Sequence, residues 1–286
     1  MWIIFAFGSA LFAGITSILA KCGMSQTDSS VATGFRTIVV LLFSWVMVFV
    51  TGVPLNETVL SSKNIVFLIL SGMATGASWL CYFKALQIGD VNKVTPIDKS
   101  STILTMILAI LFLREEITIC KVSAIVLIGL GTYFMIEKKE EIKEKQIKKQ
   151  WIVYALLSAV FASLTSILGK VGVEQVDATL ATAIRTIVVL IMAWIVVFVT
   201  NKQKEVKKLN KKDGIFLLLS GASTGASWLC YYHALQTGQA SIVVPIDKLS
   251  IVVTIIFSYV VLKESITKKA LIGLVMIVLG TLCLLI

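Results

Sequence analysis

The chain has 286 residues, of which 57% are hydrophobic and only 15% charged, with a mean hydropathy of +0.94. Soluble domains sit at roughly 45–50% apolar and about 25% charged, so this chain holds more apolar side chains than a water-soluble core could hide, and a soluble enzyme is excluded. The net charge of +10 does not point to nucleic acid, because the 26 Lys and Arg fall mostly in short runs between apolar stretches rather than among aromatics.

A helix needs about 20 residues to cross the hydrocarbon core of a bilayer. On that measure the apolar stretches predict spans near 2–20, 32–51, 65–86, 94–113 and 118–136, then 151–169, 181–200, 214–235, 243–262 and 269–286. The expected fold class is all-α integral membrane, with ten transmembrane helices. The first stretch lacks the basic n-region of a signal peptide, and its counterpart at 151–169 is internal, so it is expected to remain in the mature chain. The charge run EKKEEIKEKQIKKQ at 137–150 is most simply a solvated linker. Five widely spaced cysteines, Cys22, Cys81, Cys120, Cys230 and Cys283, form no CxxC pair, so neither a disulfide framework nor a zinc site is indicated. No cofactor is implied, and nothing in the sequence speaks to oligomeric state.

Sliding 2–137 by 149 positions onto 151–286 needs no gap and matches nearly half of the positions. FAGITSILAK pairs with FASLTSILGK, TGASWLCYFKALQIG with TGASWLCYYHALQTG, and PIDKSS with PIDKLS. The domains are therefore two five-helix repeats, 1–136 and 151–286, joined by 137–150. Five is odd, so the second repeat enters the membrane from the opposite side: the repeats have inverted topology, a common ground plan of secondary transporters with a site between the halves. Loop charge sets the orientation. The stretches 138–149, 202–212 and 263–269 carry most of the loop lysines, against Lys63, Arg114, Lys121 and Lys170 on the other side. By the positive-inside bias the lysine-rich side is cytoplasmic, which leaves both termini outside; the expected location is the plasma membrane, as a multi-pass protein.

Each half ends with a Leu-x-Glu loop before a glycine-containing last helix: Leu113, Arg114 and Glu115 with Gly129 and Gly131, and Leu262, Lys263 and Glu264 with Gly273 and Gly280. In these features the chain resembles the EamA family of the drug/metabolite transporter superfamily, and through TGASWLCY and PIDK each half resembles a free-standing five-span member. The resemblance covers all but the linker. It implies a ten-helix carrier of small organic molecules, commonly an exporter, that works by alternating access. Ten-span members of the family are usually drawn with both termini inside, opposite to the lysine arithmetic here.

Several charges are forced into the membrane. The continuous apolar run of the fourth span, Ile103 to Leu113, is too short to cross, so the helix must reach back to about Val94 and take Asp98 and Lys99 inside. The ninth span repeats this with Asp247 and Lys248, while Arg36 and Arg185 lie about a turn into the second and seventh. None should face lipid unpaired. Arg36, Asp98 and Lys99 come out near one membrane face and Arg185, Asp247 and Lys248 near the other, where an Arg can pair with an Asp of another helix. These two clusters are the expected gates. The bland alternative for the carboxylates is a first-turn acid in a helix opening at Pro96 or Pro245, and for the lysines, snorkelling.

Ser71, Thr75, Ser78 and Tyr82 form a polar stripe on the third span, repeated by Ser220, Thr224, Ser227 and Tyr231. Asp98, Ser101 and Thr105 share a face, as do Asp247, Ser250 and Thr254. Such stripes point to a neighbouring helix or to a wet cavity. Trp79 and Trp228 lie mid-span, where an aromatic belt does not explain them; substrate contact and simple packing both do. The expected substrate site is therefore near the midplane, around Trp79, Tyr82, Thr105, Trp228, Tyr231 and Thr254. Gly72 with Gly76, and Gly221 with Gly225, read as close-packing faces.

Gly221-Ala222-Ser223-Thr224-Gly225 fits the G-x-S-x-G nucleophile pattern, but it sits in an apolar span, and the only histidine, His233, is ten residues along the same helix, too far to serve as its base. Catalysis is not expected. The functional expectation is a secondary transporter whose partners are a small organic solute and the lipid bilayer. The alternative is a lipid-handling protein of flippase or scramblase type, or a non-transporting membrane subunit.

Overall fold

The computed structural model describes residues 1–23, 27–53, 60–88, 97–98, 100–135, 150–261 and 267–285. Among these, every regular element is helical. The first half supplies α1 (Trp2–Gly23), α2 (Ser29–Val50), α3 (Ser62–Ile88), α4 (Ser101–Phe112) and α5 (Ile119–Met135). The second supplies α6 (Gln150–Gly172), α7 (Ala178–Val199), α8 (Lys211–Thr237), α9 (Ala240–Lys248), α10 (Ser250–Val261) and α11 (Lys268–Cys283), with a 3-10 turn at Gln203–Lys208. Among the described residues seven helical stretches, one running through α9 into α10, are long and apolar enough to cross a membrane, and α4 and α5 are shorter apolar helices. The outer faces of the helices, α11 included, leave Leu42, Phe49, Val126, Ile191, Leu218 and Leu279 exposed, a surface suited to lipid and not to water.

The halves interlock instead of standing side by side. α1 packs along α8 and, as its repeat-related counterpart, α6 along α3; α2 packs on α7 and α5 on α11. In the last two pairs the helices are equivalents of each other. Phe35, early in α2, meets Trp194, late in α7. Gly131, late in α5, lies so close to Gly273, early in α11, that a Cβ on Gly131 would come within 2.6 Å of the Gly273 carbonyl oxygen. Equivalent helices thus run antiparallel, which requires the pseudo-two-fold axis to lie across the helices.

The ninth predicted span, 243–262, is in fact two helices. Pro245 has no N–H to give to an i−4 carbonyl, and the chain tightens just beyond it, with the Leu249 N–H on the Ile246 carbonyl at 3.0 Å and the Val252 N–H on the Leu249 carbonyl at 2.8 Å. The break falls directly after Asp247 and Lys248. Because α9 begins at Ala240, Asp247 sits in its last turn and not in the first, so an N-terminal helix preference does not explain this carboxylate. Pro96, Lys99, Glu264 and nearly all of the 137–150 linker lie outside the described residues.

Candidate functional site

The two arginines owe their positions to repeated local features. α2 and α7 open on the aspartate caps Asp28 and Asp177: Asp28 Oδ1 accepts the Ser30 N–H at 2.9 Å, and Asp177 Oδ1 the Thr179 and Leu180 N–H groups at 2.8 and 3.0 Å. Both helices start about a turn earlier than their apolar runs suggested. Eight residues on, Arg36 and Arg185 lie about 12 Å along their helices from the caps by helical rise, two turns in where the apolar runs predicted one. Glycines then let the carriers approach. A Cβ on Gly72 would stand 2.8 Å from the Val188 Cβ of α7, and one on Gly221 2.6 Å from the Val39 Cβ of α2. The close-packing role of these glycines holds, and its effect is to lay each arginine on the hydroxyl stripe of the facing helix.

Arg185 is 2% exposed. Its Nε donates to Ser71 Oγ at 3.0 Å and its Nη2 to Thr75 Oγ1 at 2.6 Å, while its guanidinium carbon lies 5.0 Å from the Trp228 ring centre and 4.9 Å from that of Tyr232. Arg36 makes the matching bond from Nη2 to Thr224 Oγ1 at 3.0 Å. Arg36 Nε and Arg185 Nη1 are buried with no hydrogen-bond partner among the described residues. A charge at mid-membrane costs about 2.5–3.5 kcal/mol on insertion scales, so such positions are held only by specific contacts or by a function.

Around them the hydroxyls form a network that obeys the pseudo-two-fold. Ser71 Oγ donates to the Thr165 carbonyl at 2.7 Å, as Ser220 Oγ does to the Thr16 carbonyl at 3.0 Å. Ser78 donates to the Ser158 carbonyl and Ser227 to the Ser9 carbonyl. Ser158 Oγ donates to Asp98 Oδ1 at 2.9 Å, and Ser9 Oγ to Asp247 Oδ1 at 2.6 Å. The stripes therefore serve both purposes open at the sequence level: they bond helix to helix, and Thr75, Ser78, Thr224 and Ser227 also line a cavity of about 520 Å³ between the halves. Arg36, Arg185, Trp79, Trp228, Tyr231, Asp247 and Lys248 line it too.

The predicted site residues divide accordingly. Trp79, Trp228 and Tyr231 reach the main cavity, and Tyr82 and Asp98 line an adjoining one of about 370 Å³ together with Trp79 and Lys248. Thr105 and Thr254 line neither; their hydroxyls turn back to the carbonyls of Ser101 and Ser250, one turn earlier, at 2.8 and 3.0 Å. The Arg–Asp pairs do not form among the described residues. Arg36 and Arg185 bond to hydroxyls, Asp98 and Asp247 accept from serines, and Asp247 also lies 3.7 Å from Lys248 Nζ. Nor are the two arginines segregated to opposite clusters: both line one cavity. Sequence reasoning missed Tyr232 and the Thr16, Ser17, Thr165 and Ser166 wall, although the shared TSIL of FAGITSILAK and FASLTSILGK was a usable signal. Ser223 and His233 are not combined: Ser223 Oγ donates to the Phe12 carbonyl, and the His233 ring lies against Phe5.

A second missed group closes the turn between α8 and α9. Arg114 takes a left-handed φ of 54°, ending α4 and directing Glu115 to the start of α9. Glu115 accepts the Ala240 and Ser241 N–H groups at 2.6 and 3.1 Å and the Ser241 hydroxyl, and it pairs with Lys121 at 3.5 Å, the two side chains being 7% and 4% exposed. Lys170 caps the other side of the turn, donating to the carbonyls of Leu235, Gln236 and Gly238. Tyr232, Leu235, Ala240, Val243 and Ile246 join one buried apolar cluster with Ala6, Leu68 and Ile167, and Trp228 and Tyr231 pack against it. Space is thus filled between the cavity rings and this turn.

The EamA-like transporter family model matches residues 1–137 and again 149–286. A transporter from Sinorhizobium sp., described as an uncharacterized transporter in the cobO 3' region, is 41% identical over 138 residues, which is 48% of this chain and 98% of that protein. An uncharacterized protein of Methanocaldococcus jannaschii is 30% identical over 133 residues, 46% of this chain and 94% of its own length. Both are about the size of one repeat. A solved crystal structure superposes with a TM-score of 0.81 over 99% of this chain and 97% of that one, at 12% identity, a likeness of fold. With both repeats matched across nearly the whole length, the chain belongs to the EamA-like transporter family.

Proposed function

We propose that this membrane transporter carries a small organic solute by alternating access, as ten spans in two inverted halves, with the solute held in the cavity between them and export as its direction. The observation that carries the reading is the cavity itself: it lies between interlocked repeats, is lined by two repeat-related arginines, and is walled by aromatic rings and hydroxyls of both halves. Trp79, Trp228, Tyr231, Arg36 and Arg185 are assigned to solute contact, with Tyr82 in the adjoining space. Asp98 and Asp247, with Lys99 and Lys248, remain candidates for charges that move between serine partners as the halves rock. Closure of one end is assigned to Glu115, Lys121 and Lys170. That Lys170 and Glu115 recur as Lys21 and Glu264 supports an equivalent lock for the opposite end.

Thermal unfolding of the purified protein across a metabolite library identifies ligands, because a solute that binds the folded state raises its stability. Counterflow of each such ligand in sealed liposomes, beside a lipid-scrambling assay, then tests the reading. Ligand-dependent flux is expected; scrambling without solute flux would favour the lipid-handling alternative. Orientation in the plasma membrane is tested with single cysteines in a cysteine-free background. Lys143 and Lys269 positions should resist an impermeant thiol reagent in intact cells, and a Thr58 position should react.

A further inference from the structure

The unbalanced charge of the cavity narrows the class of solute. Among the described residues, Arg36, Arg185 and Lys248 line it as cations and Asp247 as the one carboxylate. That carboxylate is already engaged by Ser9 and Lys248. Neither arginine has a carboxylate within ion-pair distance among the described residues, and each keeps a buried N–H without a partner, Arg36 at Nε and Arg185 at Nη1. A planar guanidinium held by hydroxyls on one edge presents its remaining donors in the fork that matches a carboxylate or phosphate. A cationic solute is disfavoured twice. It would meet a net positive wall, and the ring faces open to a cation at Trp228 and Tyr232 are already covered by Arg185 itself.

We propose that the solute is a small organic anion, its carboxylate, phosphate or sulfonate taken by Arg36 and Arg185 and its apolar body lying against Trp79 and Tyr231. This rests on the transporter reading for its passage but not for its binding, and the two are tested apart. The full-length purified protein is followed by thermal unfolding with phenyl phosphate, benzenesulfonate, benzyltrimethylammonium and benzyl alcohol as probes. Saturable stabilisation by the two anions alone is expected. Arg36→Gln and Arg185→Lys should each raise the half-effect concentration about tenfold or more. If Arg185→Lys does not fold, Arg36→Gln, which gives up the bond to Thr224, carries the comparison alone.

Stabilisation by the cation and not the anions overturns the inference, as does the absence of any shift with both anions, or an anion effect unchanged in every variant that folds. The same labelled anions are then trapped in sealed proteoliposomes. Anions that bind but do not cross faster than in protein-free vesicles leave the anion site standing and remove the transporter reading. Flux of the cation without anion binding does the reverse.

Discussion

Arg185 and Arg36 occupy equivalent positions in the two repeats, yet they are held differently. Arg185 is nearly fully buried, bonds two hydroxyls and lies against two rings, whereas Arg36 is less buried and, among the described residues, bonds Thr224 alone. Composition accounts for little of this: Phe83 stands where the other half has Tyr232, and a phenyl ring receives a cation as a phenol ring does. Ser220, the counterpart of Ser71, is present and makes the same bond to its neighbouring helix, but it takes no bond from Arg36. One set of residues thus supports two arrangements across a single pseudo-two-fold. Two arrangements of one repeat are what an alternating-access carrier needs, because each half must take the other's posture for the open end to change sides.

The largest test of this comparison is at the α8–α9 turn. Glu115→Gln removes the charge facing Lys121, and stranding one partner of a buried ion pair costs about 3–5 kcal/mol. The equivalent Glu264→Gln should cost less than about 1 kcal/mol, because the position matching Lys121 in the sequence is Ala270, which carries no charge to strand. Unfolding midpoints of both variants in one detergent check this. Equal losses would mean that stranding Lys121 is not what Glu115→Gln costs.

The arginines give a smaller difference. Arg185→Ala forfeits two charge-assisted hydrogen bonds and two ring contacts, with part of that loss returned by removing a costly charge, so a net destabilisation of about 1–3 kcal/mol is expected. Arg36→Ala, with one bond, should lose about half as much or less. Thermal unfolding without ligand measures both; a larger loss at Arg36 would reverse the comparison.

How much of this was legible in the sequence follows from what each signal reports. Repetition at a fixed offset exposes architecture and pseudo-symmetry, and intramembrane charge exposes position, because lipid penalises it wherever the helix turns. Partner choice was not legible. Arg36 and Asp98 have complementary charge and similar inferred depth, but depth along an axis says nothing about which helix is adjacent, and the packing of α3 on α7 and α8 on α2 puts hydroxyls, not carboxylates, opposite the guanidiniums. The Pro245 break was readable only as a helix start, since a proline is equally at home in a first turn. Glu115 stands out in the sequence as part of a loop pattern, but its chemistry depends on the N-terminus of α9, which is 125 residues away.

The smallest expected effect concerns two residues the sequence placed at the heart of the site. Thr105 and Thr254 share a helical face with Asp98 and Asp247, which made them candidates for the solute. That face, however, is seen from outside the helix, and a threonine can satisfy its hydroxyl on the carbonyl one turn earlier. Thr105 is 1% exposed and bonds the Ser101 carbonyl; Thr254 bonds the Ser250 carbonyl. Replacing either by Val keeps the shape and removes a donor that has no cavity to serve, leaving only the extra lone pairs of a carbonyl that already sits in its helix ladder. Thr105→Val and Thr254→Val should therefore leave ligand affinity within about twofold of the parent and stability within about 0.5 kcal/mol. Thr75→Val and Thr224→Val, which remove the hydroxyls that accept from the arginines, should weaken binding far more. If the Thr105 and Thr254 variants lose affinity as strongly as the Thr75 and Thr224 variants, the solute reaches deeper along α4 and α10 than the cavity walls imply.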